Sequence, residues 1–126
     1  MINIAVIGYG YWGPNLVRNL INSNNFNVKA VSDLDPKKTK VLRKSHPHIE
    51  INKSFTKIIS DKSIDAIAIA TPISTHFELA LDCLNAGKHV FVEKPLSDSS
   101  LKCQELIDLA DLKKLVLFVD HTFPYT

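Results

Sequence analysis

Three of the four glycines in this 126-residue chain stand close together, in the run Gly8-Tyr9-Gly10-Tyr11-Trp12-Gly13. The run follows an apolar segment and precedes a segment of helical spacing, which is the context in which such glycines bind phosphate. Gly8 permits a tight turn, Gly10 lets a pyrophosphate approach the backbone, and Gly13 lets the helix pack closely on the strand. The helix N-terminus supplies unpaired N–H groups and a partial positive charge. The run therefore predicts a phosphate-binding turn, which Tyr11 and Trp12 complete.

A carboxylate stands twenty residues after the last of these glycines. Asp33 ends an apolar segment, where it can accept hydrogen bonds from the hydroxyls of an adenosine ribose. Its charge repels a 2′-phosphate, and the next residue, Leu34, offers no positive charge to bind one. NAD is therefore predicted over NADP, although Lys37 and Lys38 are close enough downstream to keep NADP open. The alternative is that the glycines only form a turn and Asp33 only caps a helix.

Polar residues also follow two later apolar segments, where a parallel sheet would present its carboxyl ends. Thr71 and Pro72 would form a wall of the cofactor crevice. His76 would lie in the first turn of the next helix, either at the cofactor or as an exposed or capping residue. Glu93 could bond the nicotinamide ribose, and Lys94 could be a proton donor or an electrostatic anchor for a substrate hydroxyl. On spacing alone, a surface Glu–Lys pair is the alternative for these two residues.

The apolar pattern supplies a scaffold in which strand-like and helix-like segments alternate. Short apolar runs predict strands at 2–7, 26–32, 48–51, 64–70, 89–92 and 115–119. Apolar residues at helical spacing predict helices at 14–21, 37–45, 54–59, 75–86 and 97–112. Continuous apolar strands between helices indicate a parallel sheet covered on both faces. The predicted fold is a doubly wound α/β sheet of about six strands, a Rossmann fold, formed by residues 1–126 as one domain.

Particular residues mark the ends of three of these helices. Asp35 and Pro36 are expected to be the N-cap and first residue of the second helix, and Ser54 the N-cap of the third. Gly87 is in the position of a C′ glycine that ends the fourth helix. We therefore expect these helices to begin and end next to those residues.

The bulk composition excludes several classes of protein. A hydrophobic fraction of 45% and a net charge of +2 indicate a soluble globular domain, and the charge is too small to favour nucleic acid. No leader-like or membrane-spanning stretch is expected, and Cys83 and Cys103 are predicted to be unpaired packing residues in helices, which fits a cytoplasmic protein. His46, His48 and His89 share no ligand spacing, so no metal site is predicted.

Taken together, the motifs resemble the Gfo/Idh/MocA oxidoreductase family over essentially the whole chain. The resemblance rests on the glycine run, Asp33, Thr71-Pro72 with His76, and the segment from His121 to Tyr125. Its most specific element is Glu93-Lys94-Pro95, in which Pro95 restricts the backbone of Lys94. The run from Tyr11 to Asn15 is similar to members that modify nucleotide sugars.

The resemblance implies that NAD(P) lies along the glycine turn and that Glu93 and Lys94 approach its nicotinamide end. Lys94 is the one catalytic residue of the family that this chain would contain. Substrates would be sugars, cyclitols or nucleotide sugars, oxidised or reduced at a carbinol carbon by hydride transfer. Family enzymes are two to three times longer. A second α/β domain supplies their substrate site, a catalytic histidine and the interface of a homo-oligomer, and we expect that domain to be absent from this chain.

Two functional hypotheses remain at this point. The first is the cofactor half of an NAD-dependent sugar dehydrogenase, which an aimed Lys94 favours. The second is a stand-alone NAD(H)-binding or redox-sensing module, which the chain length favours because hydride transfer needs a substrate held against the nicotinamide. In either case the isolated chain is expected to bind NADH and to show negligible turnover.

Overall fold

The computed structural model describes residues 1–9, 13–93, 96–97 and 99–120, without the side chain of Asp120. Within these ranges the strands are β1 (Ile2–Ile7), β2 (Phe26–Ser32), β3 (Glu50–Ile51), β4 (Ala66–Ile69), β5 (His89–Glu93) and β6 (Leu117–Asp120). The α-helices are α1 (Gly13–Ile21), α2 (Lys40–Ser45), α3 (Phe55–Ile59), α4 (His76–Asn85) and α5 (Ser100–Lys113). A 3-10 turn, Ile73–Thr75, leads into α4.

The six strands form one sheet in the order β3-β2-β1-β4-β5-β6, and neighbouring strands pair in parallel. The chain builds outward from β1 to β3, then crosses to β4 on the other side of β1 and builds outward again. The strand order thus reverses between β1 and β4, and in such sheets ligands bind beyond the carboxyl ends of the strands at that reversal. The predicted doubly wound parallel sheet of six strands is confirmed.

Apolar side chains cover both faces of the sheet, which explains why its central strands contain few polar residues. The four residues of β4 are all buried. On one face, residues of α1 and α2 pack against the strands, with Ile4, Val6, Val17, Leu20 and Leu42 at the centre. On the other face, residues of α3, α4 and α5, among them Leu84 and Leu106, pack with the strand residues Ile7, Ile67 and Ile69. Because side chains on both faces are buried, each strand is held in one position along its own axis, and this fixes where its carboxyl end lies.

The predicted start of α2 at Pro36 and Lys37 is wrong. Residues 36–39 form turns, and the helix begins at Lys40. The cause is local hydrogen bonding by Asp35, whose Oδ1 accepts from Lys37 N (2.9 Å) while its carbonyl accepts from Lys38 N (3.2 Å). A short carboxylate side chain competes in this way with the helical backbone pattern. Asp35 therefore closes a turn where a helix start was expected.

Two other helix boundaries agree with their predicted caps. Ser54 Oγ accepts from Lys57 N (3.4 Å) at the start of α3. Gly87 has φ +81° after the end of α4, where Gly87 N donates to Leu84 O and Lys88 N donates to Cys83 O, each at 3.0 Å. These two bonds form a Schellman motif, which satisfies carbonyls at the helix end and requires a residue that tolerates positive φ.

Several element ends are shorter than predicted. β3 has two residues rather than the four of 48–51, β4 begins at Ala66 rather than residue 64, and β6 begins at Leu117 rather than residue 115. α5 begins at Ser100 rather than residue 97 because Ser99 is extended and its Oγ accepts from Lys102 N (3.3 Å). The elements themselves are as predicted.

Two structural residues complete the scaffold. Lys88 is buried before β5, and its Nζ donates to Asp61 O and Ile64 O at 2.6 Å each, which ties β5 to the turn before β4. Cys83 in α4 is buried and free, and burial, together with the charge of Asp82, raises the pKa of its thiol to about 12. Among the described residues, no helix is long and apolar enough to cross a membrane.

Candidate functional site

The turn after β1 is pressed against the turn after β4. Gly8 has φ +98°, and a Cβ placed on it would stand 2.7 Å from Ala70 O and 2.9 Å from Thr71 Cγ2. Its N–H donates to Ser32 O at 2.7 Å, which also joins the turn to the end of β2. Position 8 requires glycine both for its backbone conformation and for lack of space.

A second glycine sets how closely α1 approaches that turn. A Cβ on Gly13, the first residue of α1, would stand 2.5 Å from Gly8 O. The helix therefore starts in direct contact with the end of β1. Its first backbone N–H groups lack intrahelical partners and carry the positive end of the helix dipole, which makes this end of the helix able to bind an anion. The predicted turn residues Gly10, Tyr11 and Trp12 lie outside the described residues.

Asp33 is fixed across from the glycine turn by two backbone hydrogen bonds. Its Oδ2 accepts from Tyr9 N (2.7 Å), and its Oδ1 accepts from Asp35 N (2.8 Å). α2 begins seven residues later, at Lys40, so Asp33 is not a helix cap. A carboxylate has about four acceptor positions, so each oxygen retains capacity for a further donor such as a ribose hydroxyl. The side chain is half-buried, so its charge remains accessible.

The segment that follows Asp33 combines an exposed apolar residue with several positively charged residues. Leu34 is 70% exposed. Five basic residues, all exposed, follow within the turn and α2: Lys37, Lys38, Lys40, Arg43 and Lys44. The carboxylates of Asp33 and Asp35 stand between this run and the glycine turn in sequence. The local charge therefore includes features that favour each of the two nicotinamide cofactors.

The turn after β4 has its own hydrogen-bond network. Thr71 Oγ1 and Thr75 Oγ1 are 2.6 Å apart, and Thr75 Oγ1 donates to Pro72 O at 2.6 Å. His76 Nε2 lies 2.9 Å from Thr71 O, and the His76 side chain is 2% exposed. The alternative of an exposed histidine is therefore wrong. Thr71 is half-buried and lies beside Gly8, Pro72 is exposed, and their role as a wall of the cofactor crevice stays a prediction.

The predicted nicotinamide end is only partly within the described chain. Glu93 is the last residue of β5, is half-buried, and pairs in register with Asp120 of β6. It therefore stands at the same carboxyl edge of the sheet as Gly8 and Thr71. Lys94 and Pro95, and the segment from residue 121 to 126, lie outside the described residues.

The structure thus brings Gly8, Gly13, Asp33 and Thr71 together at the reversal of strand order. Sequence reasoning missed Tyr9 N–H as the donor that fixes Asp33, since a backbone group leaves no trace in residue type. It also missed Thr75, although two threonines four positions apart are a signal that could have indicated it. Within the described ranges, no three side chains of metal-ligand type come together.

Residues 2–121 match the family model described as "Oxidoreductase family, NAD-binding Rossmann fold". The chain belongs to the Gfo/Idh/MocA family. The resemblance inferred from the motifs is therefore confirmed, and the Rossmann fold with it. The Gfo/Idh/MocA match includes the glycine turn, Asp33, the wall after β4 and Glu93-Lys94-Pro95.

Individual relatives agree with this assignment. The chain is 28% identical over 120 residues to the Bacillus subtilis scyllo-inositol 2-dehydrogenase (NADP(+)) IolW, a match that covers 95% of this chain and 33% of that protein. A crystal structure of an NAD-binding protein from Listeria innocua superposes with a TM-score of 0.85 at 30% identity, covering 94% of this chain and 34% of that chain. GenD2 from gentamicin A biosynthesis, in complex with NAD, superposes with a TM-score of 0.87 at 25% identity, covering 94% and 34%.

This Gfo/Idh/MocA chain spans about a third of the length of these relatives. Its own geometry fits a dinucleotide. Glycine at positions 8 and 13 lets the N-terminus of α1 lie directly against the end of β1, and the carboxylate of Asp33, fixed by Tyr9 N, retains acceptor capacity beside that turn. A nicotinamide dinucleotide needs these two features, a pyrophosphate site and a diol acceptor.

Proposed function

We propose that this chain is the NAD(H)-binding domain of a Gfo/Idh/MocA oxidoreductase. The reaction is hydride transfer between the nicotinamide and a carbinol carbon of a sugar, cyclitol or nucleotide sugar. The observation that carries the proposal is the hydrogen bond from Tyr9 N to Asp33 Oδ2 (2.7 Å). That bond fixes a carboxylate opposite a turn where Gly8 and Gly13 leave no room for side chains. Aspartates often bond backbone N–H groups in structural turns, and what supports a ligand here is that each oxygen of Asp33 keeps an acceptor position for a ribose hydroxyl.

Each proposed contact follows from the place of its residue in the sheet. The backbone of Gly8, Gly10 and Gly13, with the N-terminus of α1, binds the pyrophosphate, and Tyr11 and Trp12 complete this turn. Asp33 accepts hydrogen bonds from the adenosine ribose, and Leu34 borders it. The wall after β4 comprises Thr71, Pro72 and His76. Glu93 and Lys94, which follow the neighbouring strand β5, bind the nicotinamide end.

We propose NAD as the preferred cofactor. A 2′-phosphate carries negative charge, and the carboxylate of Asp33 would repel it where the ribose hydroxyls bind. The side chain of Leu34 offers that phosphate no hydrogen-bond donor. The NAD bound to GenD2 supports this preference, whereas the NADP(+) in the name of the inositol dehydrogenase and the nearby Lys37 and Lys38 oppose it.

Lys94 is proposed as the catalytic residue. The bound nicotinamide supplies a carbon that accepts or gives the hydride. Lys94, as a neutral amine, would take the proton of the substrate hydroxyl as the carbinol becomes a carbonyl, and would return it in the reverse direction. Charged, it would anchor the same oxygen electrostatically. The closed fit of α1 on β1 contributes by holding the dinucleotide in one position relative to this lysine.

Calorimetric titration of the chain with NADH and with NADPH tests cofactor binding and preference together. Asp33→Ala should weaken NADH binding about tenfold, the loss expected when charge-assisted hydrogen bonds are removed, and should weaken NADPH binding less. Asp82→Asn, which changes an exposed carboxylate on α4, is the matched control and should leave both affinities unchanged. No binding of either cofactor, or an unchanged preference in Asp33→Ala, would contradict the proposal.

A second experiment separates an enzyme from a binding module. The chain is incubated with NAD and a panel of inositols, hexoses and nucleotide sugars, and formation of NADH is followed by its absorbance. We expect NADH to bind and turnover to be negligible for the chain alone. In a form of the protein that does turn over, Lys94→Ala should abolish turnover and leave cofactor affinity largely intact. Turnover that survives Lys94→Ala would refute the role of this lysine.

A further inference from the structure

His76 occupies an unusual place for a polar side chain. It is the first residue of α4, and its side chain is 2% exposed. Its Nε2 lies 2.9 Å from the carbonyl oxygen of Thr71. Because a carbonyl oxygen only accepts hydrogen bonds, Nε2 must carry the proton and donate. Burying the imidazole costs desolvation free energy. The hydrogen bond to Thr71 O offsets this cost, because without it both the buried N–H group and the carbonyl would lose their partner.

The carbonyl that His76 holds belongs to the residue that borders the glycine turn. A Cβ on Gly8 would stand 2.9 Å from Thr71 Cγ2 and 2.7 Å from Ala70 O. The turn after β4 is therefore packed tightly against the turn after β1. Ala70 N donates to Ile7 O at 2.8 Å, which joins the same two turns through their backbones. A displacement of Thr71 is therefore transmitted directly to Gly8.

A second set of hydrogen bonds holds the same turn from the other side. Thr75 Oγ1 lies 2.6 Å from both Thr71 Oγ1 and Pro72 O. Thr71 is thus held at its carbonyl by His76 and at its side chain by Thr75. His76 begins α4 and Thr75 immediately precedes it, so the start of this helix supports the proposed wall.

We propose that His76 is a positioning residue, which determines cofactor affinity by holding Thr71 and thereby Gly8 in place. This inference rests on the proposed function. In this inference His76 does not contact the cofactor itself, because a side chain that is 2% exposed has almost no surface to offer a ligand. What the cofactor meets is the backbone that the histidine fixes.

Two amide variants of equal chemistry test the role. The side chain of His76→Gln places its amide nitrogen near the position of Nε2, whereas that of His76→Asn is one methylene shorter and does not reach Thr71 O. Calorimetric titration with NADH should give a Kd near the wild-type value for His76→Gln. For His76→Asn the Kd should rise about three- to tenfold, the range expected for one hydrogen bond. Rescue by the longer amide is a result that simple loss of packing would not give.

A destabilised variant that keeps the wall intact is the necessary control. Leu79→Ala removes a core side chain of the same helix, one turn away from the wall, and should lower the melting temperature without changing the Kd for NADH. Thr75→Val removes the hydroxyl from a half-buried position and should raise the Kd about two- to fivefold. The Kd of Thr75→Val is measured in every case, so that the role of the wall is tested even if His76→Asn does not fold.

The outcomes distinguish this inference from the proposed function. If wild-type chain binds no NADH, the proposed function fails. If wild type binds NADH and His76→Asn binds it equally well, the positioning role is overturned alone. It is also overturned if His76→Gln and His76→Asn lose affinity equally, or if Leu79→Ala loses as much. Should His76→Asn not fold, an unchanged Kd in Thr75→Val overturns the claim that this wall sets affinity.

Discussion

Gly13→Ala tests the contact on which the crevice depends. The added Cβ would stand 2.5 Å from Gly8 O and 3.2 Å from Gly8 C, whereas ordinary van der Waals contact begins at 3.4 Å. The deficit is about 0.9 Å against a carbonyl oxygen that belongs to the backbone. A side-chain tip could turn away, but here either the start of α1 or the end of β1 must move.

The size of the effect follows from two opposing terms. Overpacking of this kind costs about 1–3 kcal/mol, and alanine recovers up to about 1 kcal/mol over glycine as a helical residue. The net loss in free energy of unfolding should therefore be about 1–2 kcal/mol, or roughly 4–8 °C in melting temperature for a domain of this size. Because the helix N-terminus is displaced by nearly an ångström, the Kd for NADH should rise at least about tenfold.

Gly87→Ala is the matched control for this substitution. Gly87 has φ +81°, and within the described part of the chain no atom lies within 4 Å of a Cβ placed there. Alanine at that position should cost about 1–2 kcal/mol through backbone strain alone. Thermal unfolding and calorimetric titration should show two variants of similar stability, of which only Gly13→Ala has lost affinity. Wild-type stability and affinity in Gly13→Ala, or equal loss of affinity in both, would refute the reasoning.

Three further predictions concern stability, pH and cysteine chemistry. Lys88→Met should lower the free energy of unfolding, measured by chemical denaturation, by about 1–3 kcal/mol, because the carbonyls of Asp61 and Ile64 lose a buried donor. The affinity for NADH should not change. An unaltered free energy of unfolding would contradict the structural role of Lys88. Burial raises the pKa of Cys83 from its ordinary value of 9.0 to about 12. The stability that this shift contributes is therefore fully present below pH 9. It is lost as the pH rises toward 12, because in that range the unfolded chain releases the thiol proton more readily than the folded chain. Cys83→Ala should flatten the fall in stability across pH 9–11, and an identical slope would count against the burial argument. In native protein at pH 8, an alkylating reagent should modify the half-buried Cys103 and spare Cys83. Modification of Cys83 to the same extent, seen by mass spectrometry of peptides, would contradict its burial.

The fold was predictable because the central strands are buried on both faces. β1 and β4 consist mainly of apolar residues with a glycine or polar residue at one boundary, and β1 and β2 have the predicted bounds. The start of α2 was not predictable from residue type, since Asp35 serves equally well in an N-cap and in a turn. Which of the two forms depends on where the following residues pack, and Leu42, the buried residue of α2, places the helix later in the chain than expected.

The candidate site divides in the same way. Gly8 and Gly13 could be identified because the close contact of α1, β1 and the turn after β4 requires glycine there, and Asp33 because the proposed ribose site favours a carboxylate. Tyr9 N and the Thr71 carbonyl are equally part of the arrangement, but they are backbone groups that any residue provides. Lys88 was missed because a lysine before a strand is normally exposed, and only the tertiary structure supplies its two buried carbonyl acceptors.

A crystal structure of the chain soaked with saturating NADH tests the central claim most directly. We predict density for the pyrophosphate within hydrogen-bond distance of the backbone at the start of α1, and ribose hydroxyls on the free acceptor positions of Asp33. An empty crevice at saturating NADH would contradict this. So would a dinucleotide bound elsewhere, for example in the groove between α1 and α2 lined by Val17, Arg18 and His46.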